Sequence, residues 1–382
     1  MAGRLSDSYG SFLPALWVQG WHDRRRGNAA RARARWGYVR PPDAQGKVVW
    51  IVCGGMQPSV RLGVALLQSI RHKRLDIRLV LTLEESFDAL LEPLQELKKT
   101  GWGYGPCDHP RAVKRVLQRL TPFGVIFAGV SPRPNLTQAL MQAVPHTLVV
   151  DAAAPAHEIK IELAYPADEA QARSWQGQPQ APTVDLASML TEAQVDPNFK
   201  TLVNNGIERH LWWLHCASAA DLQLFVATFR VEFPRDVLFV SGHAVLLCGT
   251  GFDPALRIST WQRDVIADGS IVWVDESKWL PAVAAVASAV HFQDLPRELL
   301  WQAMAGGCAV SCQDTDMLPK AALAQSVAEF QDAATVVRHW RDYADNPILA
   351  RSRGDSARRD FWQERRLAAD VNQELLQRVF EW

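Results

Sequence analysis

Two short stretches hold the residues best suited to chemistry. In "CGGMQPS" (Cys53–Ser59) an apolar run ends in two glycines and a helical pattern follows. Gly54 and Gly55 let backbone approach a ligand, and the N–H groups near Gln57 and Ser59 open a helix N-terminus where a phosphate or carboxylate is welcome. A tight strand-to-helix turn accounts for the same residues without a ligand. In "HFQDLPRELLWQAMAGGC" (His291–Cys308), Asp294 follows an apolar run. It stands either where open α/β sheets bind ligands or as the N-cap of the next helix. Gly242 and His243 close the run "DVLFVSG", so the imidazole could meet a phosphate or carboxylate, or fill a structural place. Asp151 and Asp275 end further apolar runs. "CGTGF" (Cys248–Phe252) could cradle a phosphate on backbone amides or be a plain turn.

Composition narrows the classes these residues can serve. Lys plus Arg (41) balance Asp plus Glu (41), and 48% of the 382 residues are hydrophobic. That lacks the basic excess of a nucleic-acid binder, so no nucleic-acid partner is expected. The six cysteines are scattered, and no secretory signal precedes them. Reduced thiols in a cytoplasmic protein follow, with no metal site, because Cys308 and Cys312 have no second pair at zinc spacing. Arginines crowd between Arg24 and Arg40, behind the apolar "FLPALWVQGW" (Phe12–Trp21). Aromatics beside arginines suit a membrane surface; a helix packed on its own domain with a solvated arginine face suits them too. The run is too short to span a bilayer.

The elements that must position these residues show as a rhythm. Apolar runs at Val48–Gly55, Ile77–Leu83, Phe123–Val130 and His146–Ala152 read as buried strands. Helices are predicted at 59–73, 84–98, 111–120 and 135–143. Strands spaced by helices mean a parallel sheet covered on both faces. Between about 153 and 205 the rhythm weakens, and a domain junction is placed there. It resumes with strands at "HLWWLHCA", "DVLFVSG", "AVLLCGT", "SIVWVDE", "SAVHFQ" and "CAVSCQ", then a helical tail from Asp332 whose last helix covers about 357–380.

Two consecutive doubly wound domains with a long closing helix resemble the GT-B glycosyltransferases. Within them the chain is similar to the 3-deoxy-D-manno-octulosonic acid (Kdo) transferases. "ARARWGY" before "GKVVWIVCGG", then "LLQSIRHKRLDIRLVLT", follows that family's N-terminal entry. "GPCDHPRAVKRVLQRLTPFGVIF" and "SPRPNLTQAL", with Pro134 and Asn135, match its middle, and "AMAGGCAV" and "DYADNPILARSRGDSAR" are general GT-B features. The resemblance implies two Rossmann-like domains facing a cleft: an arm at 1–40, an acceptor domain at 41–190, a donor domain at 205–355 and a helix at 356–382 crossing back to the first domain. It implies a CMP-linked acid sugar as donor, a lipid or polysaccharide acceptor, no cofactor, and peripheral contact through residues 12–40 with the cytoplasmic face of the inner membrane.

The departures fall on the chemistry. Where the family has a general-base glutamate after its first strand, this chain offers Met56 and Gln57, and an amide cannot take a proton from a sugar hydroxyl. Two glutamates before Pro134–Asn135 are absent, the acidic run of the second domain reads "CASAADLQ", and only His243 remains of a Pro-Arg-His tripeptide. The family's last motif maps onto Glu298, Leu299 and Gln302; the general pattern of two glutamates eight apart maps onto Asp294 and Gln302. Gln302 can still hydrogen-bond a ribose hydroxyl. By this resemblance His243, Gly242, Asp275, Asp294, Glu298 and Gln302 would bind donor, and Gly54, Gly55, Gln57, Ser59 and Asn135 would bind acceptor. Asp151 would replace the lost base. A catalytically inactive paralogue that binds a sugar nucleotide, glycan or partner enzyme is the alternative.

Overall fold

A computed structural model describes residues 13–191, 209–242, 256–260 and 266–382, with Phe199 and Val203. The chain forms two compact units, one comprising residues 1–190 with 367–382 and the other residues 191–366. No described helix is long and apolar enough to cross a membrane.

The first unit is a parallel sheet of β1 (Val48–Cys53), β2 (Arg78–Leu83), β3 (Thr100–Tyr104), β4 (Pro122–Ala128), β5 (His146–Val150) and β6 (Leu163–Tyr165), in the order β3-β2-β1-β4-β5-β6. Residues of β1 are buried on both faces, as its unbroken apolar run demands. One face packs Ile51 and Leu79 with Leu67, and the other packs Trp50, Val125 and Phe127 with Val116. Trp50 can lie fully buried because its indole N–H donates to Thr82 Oγ1 across the strands at 2.8 Å.

Around this sheet run α1 (Leu13–Arg25), α2 (Ala29–Arg35), α3 (Gln57–Lys73), α4 (Asp88–Leu91), α5 (Pro110–Leu120), α6 (Pro134–Ala143) and α7 (Glu169–Ser174). The helix expected over 84–98 is instead the short α4 with a 3-10 turn at Glu92–Leu94, followed by the unforeseen β3. β3 reads "TGWGY", and its glycines conceal it; at a sheet edge, with one neighbour, they are tolerated.

The second unit is also parallel: β7 (Leu211–Cys216), β8 (Val237–Gly242), β9 (Leu256–Arg257), β10 (Ile271–Trp273), β11 (Ala289–Phe292), β12 (Ala309–Cys312) and β13 (Val327–Glu329), in the order β13-β12-β11-β7-β8-β10-β9. Its helices are α8 (Ala219–Glu232), α9 (Leu280–Val286), α10 (Arg297–Gly306), α11 (Ala333–Asp345) and α12 (Pro347–Glu381). The strand expected at "AVLLCGT" lies outside the described residues. α12 is one unbroken helix of 35 residues, starting well before position 356, and its stretch from Leu367 belongs to the first unit. There Trp382 presses on β4 where Gly124 leaves room; a Cβ at that glycine would lie 2.3 Å from the indole ring.

Trp212 stacks on Trp340 with centroids 5.1 Å apart, and its N–H donates to Asp236. His291 lies buried on β11 of the same sheet. The Ser311 hydroxyl donates to the Val290 carbonyl, so its oxygen accepts from His291 Nδ1 at 3.1 Å. Burial pushes His291 down from 6.5 to about 4. Between those values the unfolded chain binds a proton that the folded chain does not, so stability falls as pH drops through that window, by about 3 kcal/mol in all. Urea denaturation from pH 7 to pH 4 should show this loss in the native chain and a shallower pH dependence in His291→Gln. An unchanged slope would remove His291 as the cause.

Candidate functional site

In a parallel sheet every strand ends on one edge, and the strand order reverses at a single point where the loops diverge. In the second unit that point lies between β7 and β11, the neighbours whose following loops go opposite ways. Three polar side chains converge there. His215, next to last in β7, places Nδ1 2.9 Å from Ser241 Oγ of β8 and Nε2 3.1 Å from Asp294 Oδ1, just past β11. Trp213 extends the chain inward, donating Nε1–H to Ser241 Oγ at 2.8 Å. An indole can only donate, so Ser241 accepts from it. Nε2 of His215 faces the Asp294 carboxylate, which when ionised can only accept.

Exposure rises along this chain. Trp213 is fully buried, Ser241 and His215 are 3% and 8% exposed, and the Asp294 side chain is half exposed. The structure thus holds Asp294 by its inner oxygen and turns the rest of the carboxylate to solvent. Capping is not its role, since the N-cap of α10 is Pro296. Gln293 lies beside it, its amide oxygen accepting from Cys216 Sγ at 2.8 Å. Burial raises that thiol to about 11, so Cys216 is a packed hydrogen-bond donor and no nucleophile.

The other second-unit residues named from sequence spread out along this edge. Glu298 is in the first turn of α10 and Gln302 is buried one turn on. Gly242 ends β8 with φ 139°, and a Cβ there would lie 2.1 Å from the Cys216 carbonyl oxygen, so its absent side chain is what lets β8 close on β7. Asp275 is committed at 3.1 Å to the Ser259 N–H and also accepts from the Ser259 hydroxyl. His243 and the "CGTGF" turn lie outside the described residues. Sequence reasoning missed His215, although a histidine in a strand whose other residues are apolar was the available signal.

The first unit's order reverses between β1 and β4. Here Ser59 closes the junction: its hydroxyl accepts from Gly54 N–H at 2.7 Å and donates to the Ala128 carbonyl at 2.6 Å. Gly129 (φ 63°) passes so close that a Cβ would lie 2.8 Å from Ser59. Gln57 is exposed at the start of α3, whose N-cap Met56 provides no side-chain bond. Asn135 is spent on Asp108, donating Nδ2–H to the Asp108 carbonyl at 2.7 Å, while the Asp108 carboxylate accepts from the N–H groups of Asn135 and Leu136. Burial raises Asp108 and these N–H bonds oppose the rise; together they cap α6 from 27 residues away.

Asp151 follows β5 with φ 52°, and its Oδ1 accepts from Gln171 Nε2 at 2.8 Å. A carboxylate that sequence reasoning missed, Glu84, stands just past β2. It pairs with Arg133, and its Oε2 would lie 3.4 Å from a Cβ placed on Gly55. The loop that has Gln57 where a base was expected therefore has a glutamate beside it in space. Among the described residues no group of three or more His, Cys, Asp or Glu could hold a metal ion.

Both sheets have the doubly wound parallel topology of the GT-B fold. No protein-family model matches the chain, and neither does any curated protein. Solved structures match in fold. A glycosyltransferase from Rickettsia africae superposes with TM-score 0.57 at 10% identity, covering 88% of this chain and 99% of that one. Phytolacca americana UGT2, complexed with UDP-2-fluoroglucose and pterostilbene, gives 0.52 at 10% identity over 89% and 100%. The UDP-GlcNAc 2-epimerase of Neisseria meningitidis, bound to UDP-GlcNAc, gives 0.52 at 12% identity over 83% and 99%.

The exposure gradient makes a prediction. Ser241→Ala leaves the Trp213 N–H buried without its acceptor and should cost about 1–3 kcal/mol, whereas Asp294→Asn at the wet end should cost under about 1 kcal/mol. Equal losses in chemical denaturation would mean that this chain of contacts is structural along its whole length.

Proposed function

We propose that this protein is a glycosyltransferase that takes its sugar from a nucleotide-linked donor held by the second unit. The supporting observation is the Trp213–Ser241–His215–Asp294 chain at the order reversal of that unit's sheet. An outward carboxylate steadied from behind suits a ribose hydroxyl, and Gln302 is the partner that the sequence resemblance assigns to the same ribose. The N-terminal motifs favour transfer over epimerisation, and they favour a CMP-linked acid sugar of the Kdo type. The acceptor is a lipid or polysaccharide bound by the first unit.

In the reaction the acceptor hydroxyl oxygen bonds to the anomeric carbon as the bond from that carbon to the donor phosphate breaks. The nucleotide leaves with the electron pair, and the hydroxyl proton passes to a carboxylate. We assign that proton to Glu84, since it lies against the glycine loop of β1. Asp151, singled out in the sequence, accepts from Gln171 just as Glu84 pairs with Arg133; what separates them is the position of Glu84 against that loop.

Thermal shift with CMP, CMP-Kdo, UDP and GDP tests the donor site. One nucleotide should raise the melting temperature, and His215→Ala and Gln302→Ala should abolish the rise; no rise with any of them would sink the reading. With that donor and an acceptor, Glu84→Gln should retain nucleotide binding and lose at least about a hundredfold in transfer rate. An isomerised donor without transfer would identify an epimerase instead.

Peripheral membrane contact belongs to the same proposal. Trp17, Val18 and Trp21 are exposed on α1, and Arg25 stacks over Trp21 at 3.9 Å. Such rings sit at headgroup depth while arginines meet lipid phosphates. Trp17→Ser/Trp21→Ser should lose binding to vesicles containing anionic lipid; unchanged binding would refute the contact.

A further inference from the structure

A groove of ≈ 610 Å³ runs along the edge strand β3, beneath α2. Its walls include three aromatic residues, Tyr38, Trp102 and Tyr104, and two arginines, Arg33 and Arg40, with Asp88 as the one acidic residue lining it. Asp88 already accepts from the Ser86 hydroxyl at 2.7 Å.

The arginines of "RARAR" (Arg31–Arg35) have separate fates. Arg31 reaches Glu85 at 3.1 Å through Nη1, and Arg35 is buried against Asp23 at 2.6 Å. Arg33 projects from the same short helix into the groove, exposed, and the side chains of Arg33 and Arg40 make no ion pair or hydrogen bond among the described residues. Two guanidinium groups with no carboxylate partner among the described residues thus border one aromatic-walled groove. Leu83, the last residue of β2, lines both this groove and the small cavity that Glu84 and Arg133 also line, so the groove reaches the carboxyl end of that strand.

Flat aromatic faces suit the C–H faces of pyranose rings, and guanidinium groups bind carboxylate or phosphate in bidentate fashion. We propose that the groove binds an anionic oligosaccharide, the distal part of the acceptor, with its carboxylates or phosphates on Arg33 and Arg40 and its rings on Trp102 and Tyr104. This rests on the acceptor role given to the first unit.

The test is calorimetric titration of the full chain with tetragalacturonate, with a phosphorylated maltotetraose, with neutral maltotetraose and with inorganic phosphate. One charged tetrasaccharide should bind, and which one binds identifies the acidic group. Arg33→Ala/Arg40→Ala and, separately, Trp102→Ala should raise its Kd at least about tenfold. Arg24→Ala/Arg26→Ala, which removes the same charge from the end of α1 and the turn after it, outside the groove, should leave it unchanged. Three results would overturn the proposal: no binding by either charged tetrasaccharide, equal weakening by the α1 control, or inorganic phosphate binding as tightly as the sugar. Nucleotide thermal shifts on the same proteins separate the two readings. Glycan binding at the groove without any nucleotide shift would leave the groove standing and remove the transferase assignment; a nucleotide shift without glycan binding would do the reverse.

Discussion

Each unit rests on a parallel sheet buried on both faces, and such a sheet has no freedom over where its strands end. All carboxyl ends share one edge, and the chain must leave the central pair in opposite directions. That divergence opens a place where backbone groups of two strands lack neighbours, so some side chain has to satisfy them. The two units meet the demand differently. In the first, Ser59 bridges Gly54 and Ala128, and Gly129 is pressed against it; the junction is closed. In the second, the groups at the junction are Gln293, His215 and Asp294, with polarity and exposure increasing outward. A junction finished by a hydroxyl between two peptide groups is complete, whereas one finished by a half-exposed carboxylate can still receive a ligand.

The sheets were legible because buried parallel strands leave long apolar runs. Val48–Cys53, His146–Val150 and Leu211–Cys216 could hardly be anything else once helical patterns were seen between them. What stayed hidden was set by tertiary context. "TGWGY" is a strand because β2 supplies one side of its hydrogen bonding; "ESFDALLEPLQEL" is not a long helix for a local reason, since Pro93 interrupts it after α4 and leaves a 3-10 turn. The long last helix was seen but its start was not: Pro347 looks like a stop and acts as a first-turn residue.

The site was legible in its backbone and much less in its side chains. Gly54, Gly242 and the strand-end aspartates were found because strand ends and glycines announce themselves. Their partners did not, since a hydrogen bond between Asp108 and Asn135, or between Ser259 and Asp275, joins positions that sequence spacing does not relate. Several residues that looked available for a ligand are thereby committed to holding loops: Ser59, Asn135 and Asp275. His215 and Glu84 went unnoticed for the complementary reason, that their environment comes from other strands.

The same logic bears on the missing base. A loop that loses a catalytic glutamate need not lose the chemistry if a neighbouring strand ends beside it, because proton transfer depends on where a carboxylate stands and not on which segment supplies it. Glu84 follows β2, the immediate neighbour of β1, and its carboxylate lies at van der Waals distance from a Cβ placed on Gly55. Arg133, which opens α6, holds that carboxylate in place, and Asp108 fixes the start of the helix by accepting from its first free N–H groups. The "GPCDHP" and "SPRPN" segments, far apart in the chain, thus act together on a residue that belongs to neither.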